Sequence, residues 1–120
     1  MTRPRNDANG TEFGDWTRRQ AEIDSGLGWV ATNIDYVWHN YKTGAWMLLE
    51  EKRHGAQPKR WQLECFALVD AQARRDPKYH GLHVIVFQHT SPEDGLIWRD
   101  KKPISKAGLL AFLRDFKAPL

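Results

Sequence analysis

Two carboxylates and an amine occur at a spacing that can bring them together: Asp35, then fourteen residues, then Glu50, with Lys52 two positions further on. The runs that carry them, IDYVWHN and AWMLLEEK, are apolar and aromatic, and the tetrad YKTG between them reads as a turn. With Tyr41 to Gly44 as a four-residue loop, Asn40 faces Ala45. Counting back sets His39 against Trp46, Val37 against Leu48 and Asp35 against Glu50. Side chains alternate along a strand, so Lys52 leans to the Glu50 face while Glu51 and Arg53 lean to the other. Two carboxylates placed opposite each other repel unless a cation lies between them. Magnesium suits that place, because it takes one or two carboxylates plus water and phosphate oxygens. The Glu51 backbone carbonyl is a third oxygen within reach, and Lys52 would stand beside the bound water and the phosphate.

The elements that must position these groups follow from periodicity and punctuation. DWTRRQAEIDSG predicts a short helix capped by Asp15, with Trp16, Gln20 and Ile23 on one side. LGWVATNIDYVWHN predicts strand, and YKTG then AWMLLEEK completes a hairpin. Pro58 to Arg75 predicts the main helix, with Trp61, Cys65, Leu68 and Val69 at helical spacing and Asp76-Pro77 ending it. LHVIVFQ is apolar at nearly every position, as a central strand covered on both faces would be. LIW predicts a short strand. Ser105 caps a last helix whose apolar stripe is Leu109, Leu110, Phe112, Leu113 and Phe116. This order predicts an α/β fold, a mixed sheet of four or five strands between helices in three α/β/α layers. Residues 1–11 are expected to form a loose polar tail and 12–120 a single domain.

With Asp35, Glu50-Glu51-Lys52 and that element order in place, the chain resembles the PD-(D/E)xK nuclease superfamily over about residues 15–88. The resemblance implies a restriction-endonuclease-like core of a helix, three antiparallel strands, a helix and a further strand. It implies that Asp35 and Glu50 bind Mg2+, for which Mn2+ can substitute, and that Lys52 positions or activates the attacking water. Branches similar to Holliday-junction resolvases and virus-type replication-repair nucleases add a glutamate from the first helix and a glutamine after the motif. Glu22 and Gln62 match those places, with Glu12 the rival for the former. Ile34 stands where many members have proline, and Glu51-x-Arg53 offers a rival register without the lysine. The activity implied is hydrolysis of nucleic-acid phosphodiesters, with DNA favoured over RNA. The alternative is a binding module for nucleic acid or protein on the same fold, with the acidic pair as a remnant.

Composition permits this without requiring it. Eighteen Lys and Arg against fifteen Asp and Glu give a net charge of +3, a surplus that tolerates a polyanionic partner. Arg53, His54, Lys59 and Arg60 cluster around the start of the main helix, where a phosphate backbone could rest, and Arg74 and Arg75 lie at its end. Trp38, Trp46 and Trp61 could stack on bases, although core packing competes for them. Cys65 is the single cysteine, so no intramolecular disulfide can form. His80, His83 and His89 lack the tight ligand pair of a zinc site, and neither a glycine-rich phosphate loop nor a nucleophile elbow occurs. The first residues have no apolar core, and no run approaches the roughly 18 apolar residues of a membrane span. A cytoplasmic protein is expected, and LIW or the last helix could support a homodimer.

Overall fold

The computed structural model describes residues 11–116, which fall into two compact units divided between Asn33 and Ile34. The expected loose tail over residues 1–11 lies, apart from Thr11, outside the described residues. In the first unit, helix α1 spans Glu12–Arg18 and is capped by Thr11, whose Oγ1 accepts the Gly14 N–H at 2.9 Å. The cap is therefore Thr11 and not Asp15, which sits inside the helix. After Arg18 the chain makes two 3-10 turns, Ala21–Ile23 and Ser25–Leu27, the second capped by Asp24. Trp16, Gln20 and Ile23 do not form one continuous helical face, and Glu22 lies in a turn rather than on a helix.

The second unit is a five-stranded mixed open sheet with two helices. Strands β1 (Tyr36–His39), β2 (Trp46–Lys52), β3 (Tyr79–Phe87), β4 (Ile97–Arg99) and β5 (Lys102–Pro103) lie side by side in chain order. The hairpin register is the expected one, with His39 opposite Trp46 and Val37 opposite Leu48. Asn40 shapes the loop by accepting the Lys42 and Thr43 N–H groups on its side-chain oxygen. Gly44 adopts φ +81°, and an added Cβ would come within 2.9 Å of Lys78. β2 and β3 run parallel and are joined by α2 (Arg60–Ala73), while the other neighbours are antiparallel. β3 is central, as its apolar run predicts, and LIW forms β4 between β3 and β5, with its ladder already occupied.

Three expectations give way. The strand expected from Leu27 shrinks to four residues, so two antiparallel strands precede α2 among the described residues, not three. The ladder ends where the Glu51 N–H bonds the Asp35 side chain rather than a strand backbone. The helix expected over Pro58 to Arg75 starts two residues later and ends earlier. It buries Phe66, while Leu68 is 71% and Val69 44% exposed. The wide stripe of α3 (Lys106–Asp115), capped by Ser105 as expected, loses Leu110 to solvent at 64% exposure.

Period two divides the sheet residues between its faces. Met47, Leu49, Ile85, Phe87 and Ile97 join Leu109, Phe112 and Phe116 of the α3 segment in the main core. On the other face Leu48 pairs across to Leu82, Glu50 to Val84 and Lys52 to Val86, with α2 packed against β3. No described helix is long and apolar enough to cross a membrane.

His83 on the α3 face ties β3 to the β4–β5 turn. Its Nδ1 lies 2.7 Å from the Asp100 carboxylate and its Nε2 2.8 Å from the His80 carbonyl. Both partners accept, so only the imidazolium satisfies them together. Burial works against that charge, but Asp100 and the His80 carbonyl outweigh it and hold the pKa above the ordinary histidine value. A folded pKa above the unfolded one contributes stability fully present below about pH 6.5 and lost as pH rises through the folded value. Denaturant midpoints are expected to fall as pH rises above about 6.5, and His83→Gln to flatten that slope. An unchanged slope in the variant would remove His83 as its source.

Candidate active site

The site is built at the open end of the β1–β2 hairpin. Asp35 and Glu50 face each other there, and each accepts a backbone N–H from the other's strand. Glu50 Oε1 takes the Asp35 N–H at 3.3 Å, and Asp35 Oδ2 takes the Glu51 N–H at 2.8 Å. Asp35 thus takes the Glu51 N–H that a continued hairpin would have bonded to Ile34. Glu50 is 3% exposed, whereas Asp35 lies in the open. Burial, and then the Asp35 carboxylate beside it, push the Glu50 pKa up to about 7 despite the neighbouring Lys52.

Lys52 bridges strand and helix. Its Nζ lies 3.2 Å from Glu50 Oε2 and 3.3 Å from Gln62 Oε1. Gln62 is placed by its own helix, because its Oε1 also accepts the Lys59 N–H at 2.9 Å, closing the first turn of α2. Asp35, Glu50, Lys52 and Gln62 are therefore brought together. Glu22 belongs to the first unit.

Glu51 points to the opposite face, as alternation requires. It accepts the Tyr36 hydroxyl at 2.9 Å and lies 3.8 Å from Arg53. The Glu51-x-Arg53 pair is thus separated from Glu50 and Lys52 by the sheet. His54 and Gly55 both take positive φ, 56° and 69°, and turn the chain from β2 towards α2 while bonding to the His89 and Phe87 carbonyls. Lys59 is the N-cap residue and Arg60 opens α2, its side chain 93% exposed and 3.3 Å from Glu64. Their charges oppose the helix dipole at this end, while Arg60 pairs with Glu64 one turn on.

Among the described residues no three His, Cys, Asp or Glu side chains converge as a metal cluster. A divalent ion at the hairpin end would meet two carboxylates, with a backbone oxygen and water completing its shell. That sparse all-oxygen set is the kind magnesium accepts, and two opposed carboxylates, one buried, are the electrostatic setting a cation relieves.

Sequence reasoning did not single out Trp98. The β3–β4 register sets it beside Val86, which itself pairs with Lys52, so Lys52, Val86 and Trp98 form one row across the sheet. Strand alternation would reveal the row once that register is known, but the irregular loop SPEDG hides it. No protein-family model, curated protein or solved structure matches the chain.

Proposed function

We propose that this chain is a metal-dependent nuclease of PD-(D/E)xK type, acting on nucleic-acid phosphodiesters, with DNA favoured over RNA. The observation that carries the reading is the pairing of Asp35 with a buried Glu50 across the hairpin end, with the Lys52 ammonium 3.2 Å from Glu50. A three-layer, restriction-endonuclease-like core is the matching fold reading. The α3 core on one face of the sheet and α2 against β3 support it.

The residues present suit magnesium, which Asp35, Glu50 and the Glu51 carbonyl would hold. When bound, it would supply a water acidified for attack and a counter-charge for the phosphate. Lys52 would stabilise negative charge developing on the phosphate oxygens, with Glu50 available to hold the ion. Gln62 keeps the ammonium aimed along the sheet. His54, Lys59 and Arg60 stand around the α2 start, where the helix dipole and side-chain charge attract backbone phosphates, whereas Arg53 pairs with Glu51 on the other face.

The test is cleavage of labelled single-stranded, duplex and four-way-junction DNA, and of RNA, with magnesium or manganese. Lys52→Ala is expected to lose about 100- to 1,000-fold in rate, the usual effect of removing one charge-stabilising donor. Glu51→Ala, on the far face, is expected to stay within a few-fold of the unmodified chain. Equal losses in both variants would break the assignment of faces. A binding-only module is the second reading, favoured by the direct Lys52–Glu50 ion pair, which gives Glu50 a counter-charge from the chain itself. It predicts metal-independent, salt-sensitive binding that survives Glu50→Gln, and no cutting by the purified chain.

A further inference from the structure

The row that starts at Lys52 ends in a cleft. It is lined by Val84, Val86 and Trp98 of the sheet, by Leu63 and Pro58 of the α2 segment, and by Lys101. Its volume is about 570 Å³, within the roughly 300–1,000 Å³ of small-molecule sites. We propose that this cleft seats one unpaired nucleobase of the substrate, stacked on the Trp98 indole, so that the enzyme acts on single-stranded nucleic acid or on a single-stranded arm. This rests on the nuclease reading above and assigns the substrate class.

Three observations fit a base better than another apolar occupant. Lys52 and Trp98 lie two strand spacings apart, about 10 Å, so a stacked base and the phosphate at Lys52 can belong to neighbouring nucleotides. Lys101 belongs to the lining and Lys52 is the strand neighbour of Val86, so two cations flank the apolar surface where backbone phosphates could be met. The cleft also contains a polar side chain able to meet a base edge, Gln57, whose amide makes no hydrogen bond among the described residues. Asp100 is not available for that role, since its carboxylate is held by His83 and by the Val84 N–H. A base inside a duplex enters only if flipped out, at the cost of unpairing and unstacking it, whereas an unpaired base pays least to leave its stack.

The experiment is fluorescence-anisotropy binding in EDTA, which needs no catalysis, with a labelled single-stranded oligonucleotide and with the duplex of the same sequence. The single strand is expected to bind at least about tenfold more tightly than the duplex. Trp98→Ala is expected to weaken single-strand binding by about tenfold, in line with the loss of one base–aromatic stack, and Trp98→Phe to retain most of it. Leu63→Glu, on the half-exposed side of α2, adds a repelling charge at the mouth without disturbing the core. It is expected to weaken the single strand while leaving the melting temperature unchanged. Equal affinity for both substrates, or full single-strand affinity in both Trp98→Ala and Leu63→Glu, would overturn the proposal. Cleavage of the duplex that Lys52→Ala abolishes would, beside such a result, leave the nuclease reading standing and remove only the base cleft.

Discussion

Replacing Glu50 by glutamine is expected to abolish cleavage and, in the metal-free protein above pH 7, to make the fold more stable. The carboxyl is 3% exposed and faces Asp35. Its pKa rises from an ordinary 4.5 to about 7, first through burial and then through Asp35. For an acid raised in this way the folded state holds its proton longer than the unfolded chain does. The contribution of this carboxyl is therefore greatest below about pH 4.5, declines until about pH 7 and is level beyond it. At about 1.4 kcal/mol for each tenfold change, the decline amounts to up to about 3 kcal/mol. Glutamine keeps an acceptor for the Asp35 N–H and has no charge to bury, so the variant should show no such decline.

Magnesium should reverse the same deficit in the unmodified chain. A ligand at a hundred times its dissociation constant adds about 2.7 kcal/mol, and protons compete for the same oxygens. Chemical denaturation at pH 5 and pH 8, with and without magnesium, measures all of this. Magnesium stabilisation confined to pH 8, and absent from Glu50→Gln, is the expected pattern. Equal stabilisation of both proteins would remove the ion from this site. Asp35→Asn is the companion variant, because it preserves an acceptor for the Glu51 N–H that alanine would leave unmet.

Phe112→Ala is expected to produce the largest loss of stability among single changes, about 4 kcal/mol. Phe112 is 2% exposed in the centre of the α3-side core. The Arg99 guanidinium sits 4.3 Å above its ring and the His83 ring meets its edge at 4.9 Å. Truncation opens a cavity and also removes the aromatic face from a cation whose Nε is buried without a hydrogen-bond partner among the described residues. Phe112→Leu fills most of the space but has no ring, and it is expected to cost about 1–2 kcal/mol. A Phe112→Ala protein with an unchanged urea midpoint would show that the core does not depend on this contact.

The hairpin could be read from the chain because its two determinants are local. An even loop and a period of two place Asp35 against Glu50 whatever the rest of the fold does, and the structure has that register. The extent of β1 could not be read, since residues 28–35 have strand composition but pair with no strand among the described residues. Propensity cannot supply a partner. The α2 face failed for a related reason. Trp61, Cys65, Leu68 and Val69 share one side by spacing, yet the sheet chose the side of Phe66 and Gln62, where Asp70 also accepts the Tyr79 hydroxyl. Position in a pattern says which residues travel together, whereas which side meets the sheet is set by contacts distant in sequence. Gln62 was reached only by resemblance, and its double acceptance from Lys52 and Lys59 gives it a physical place.

The crossed bonds at the hairpin end have one more consequence. The Glu51 amide hydrogen is held by a side chain that would also hold the ion, not by a strand. Its exchange with solvent deuterium therefore reports the state of Asp35 directly. Drawing Asp35 towards an ion, or protonating it, should speed exchange at that one amide while the amides of β3 stay slow. A single residue followed by NMR would then report occupancy without any substrate being cut.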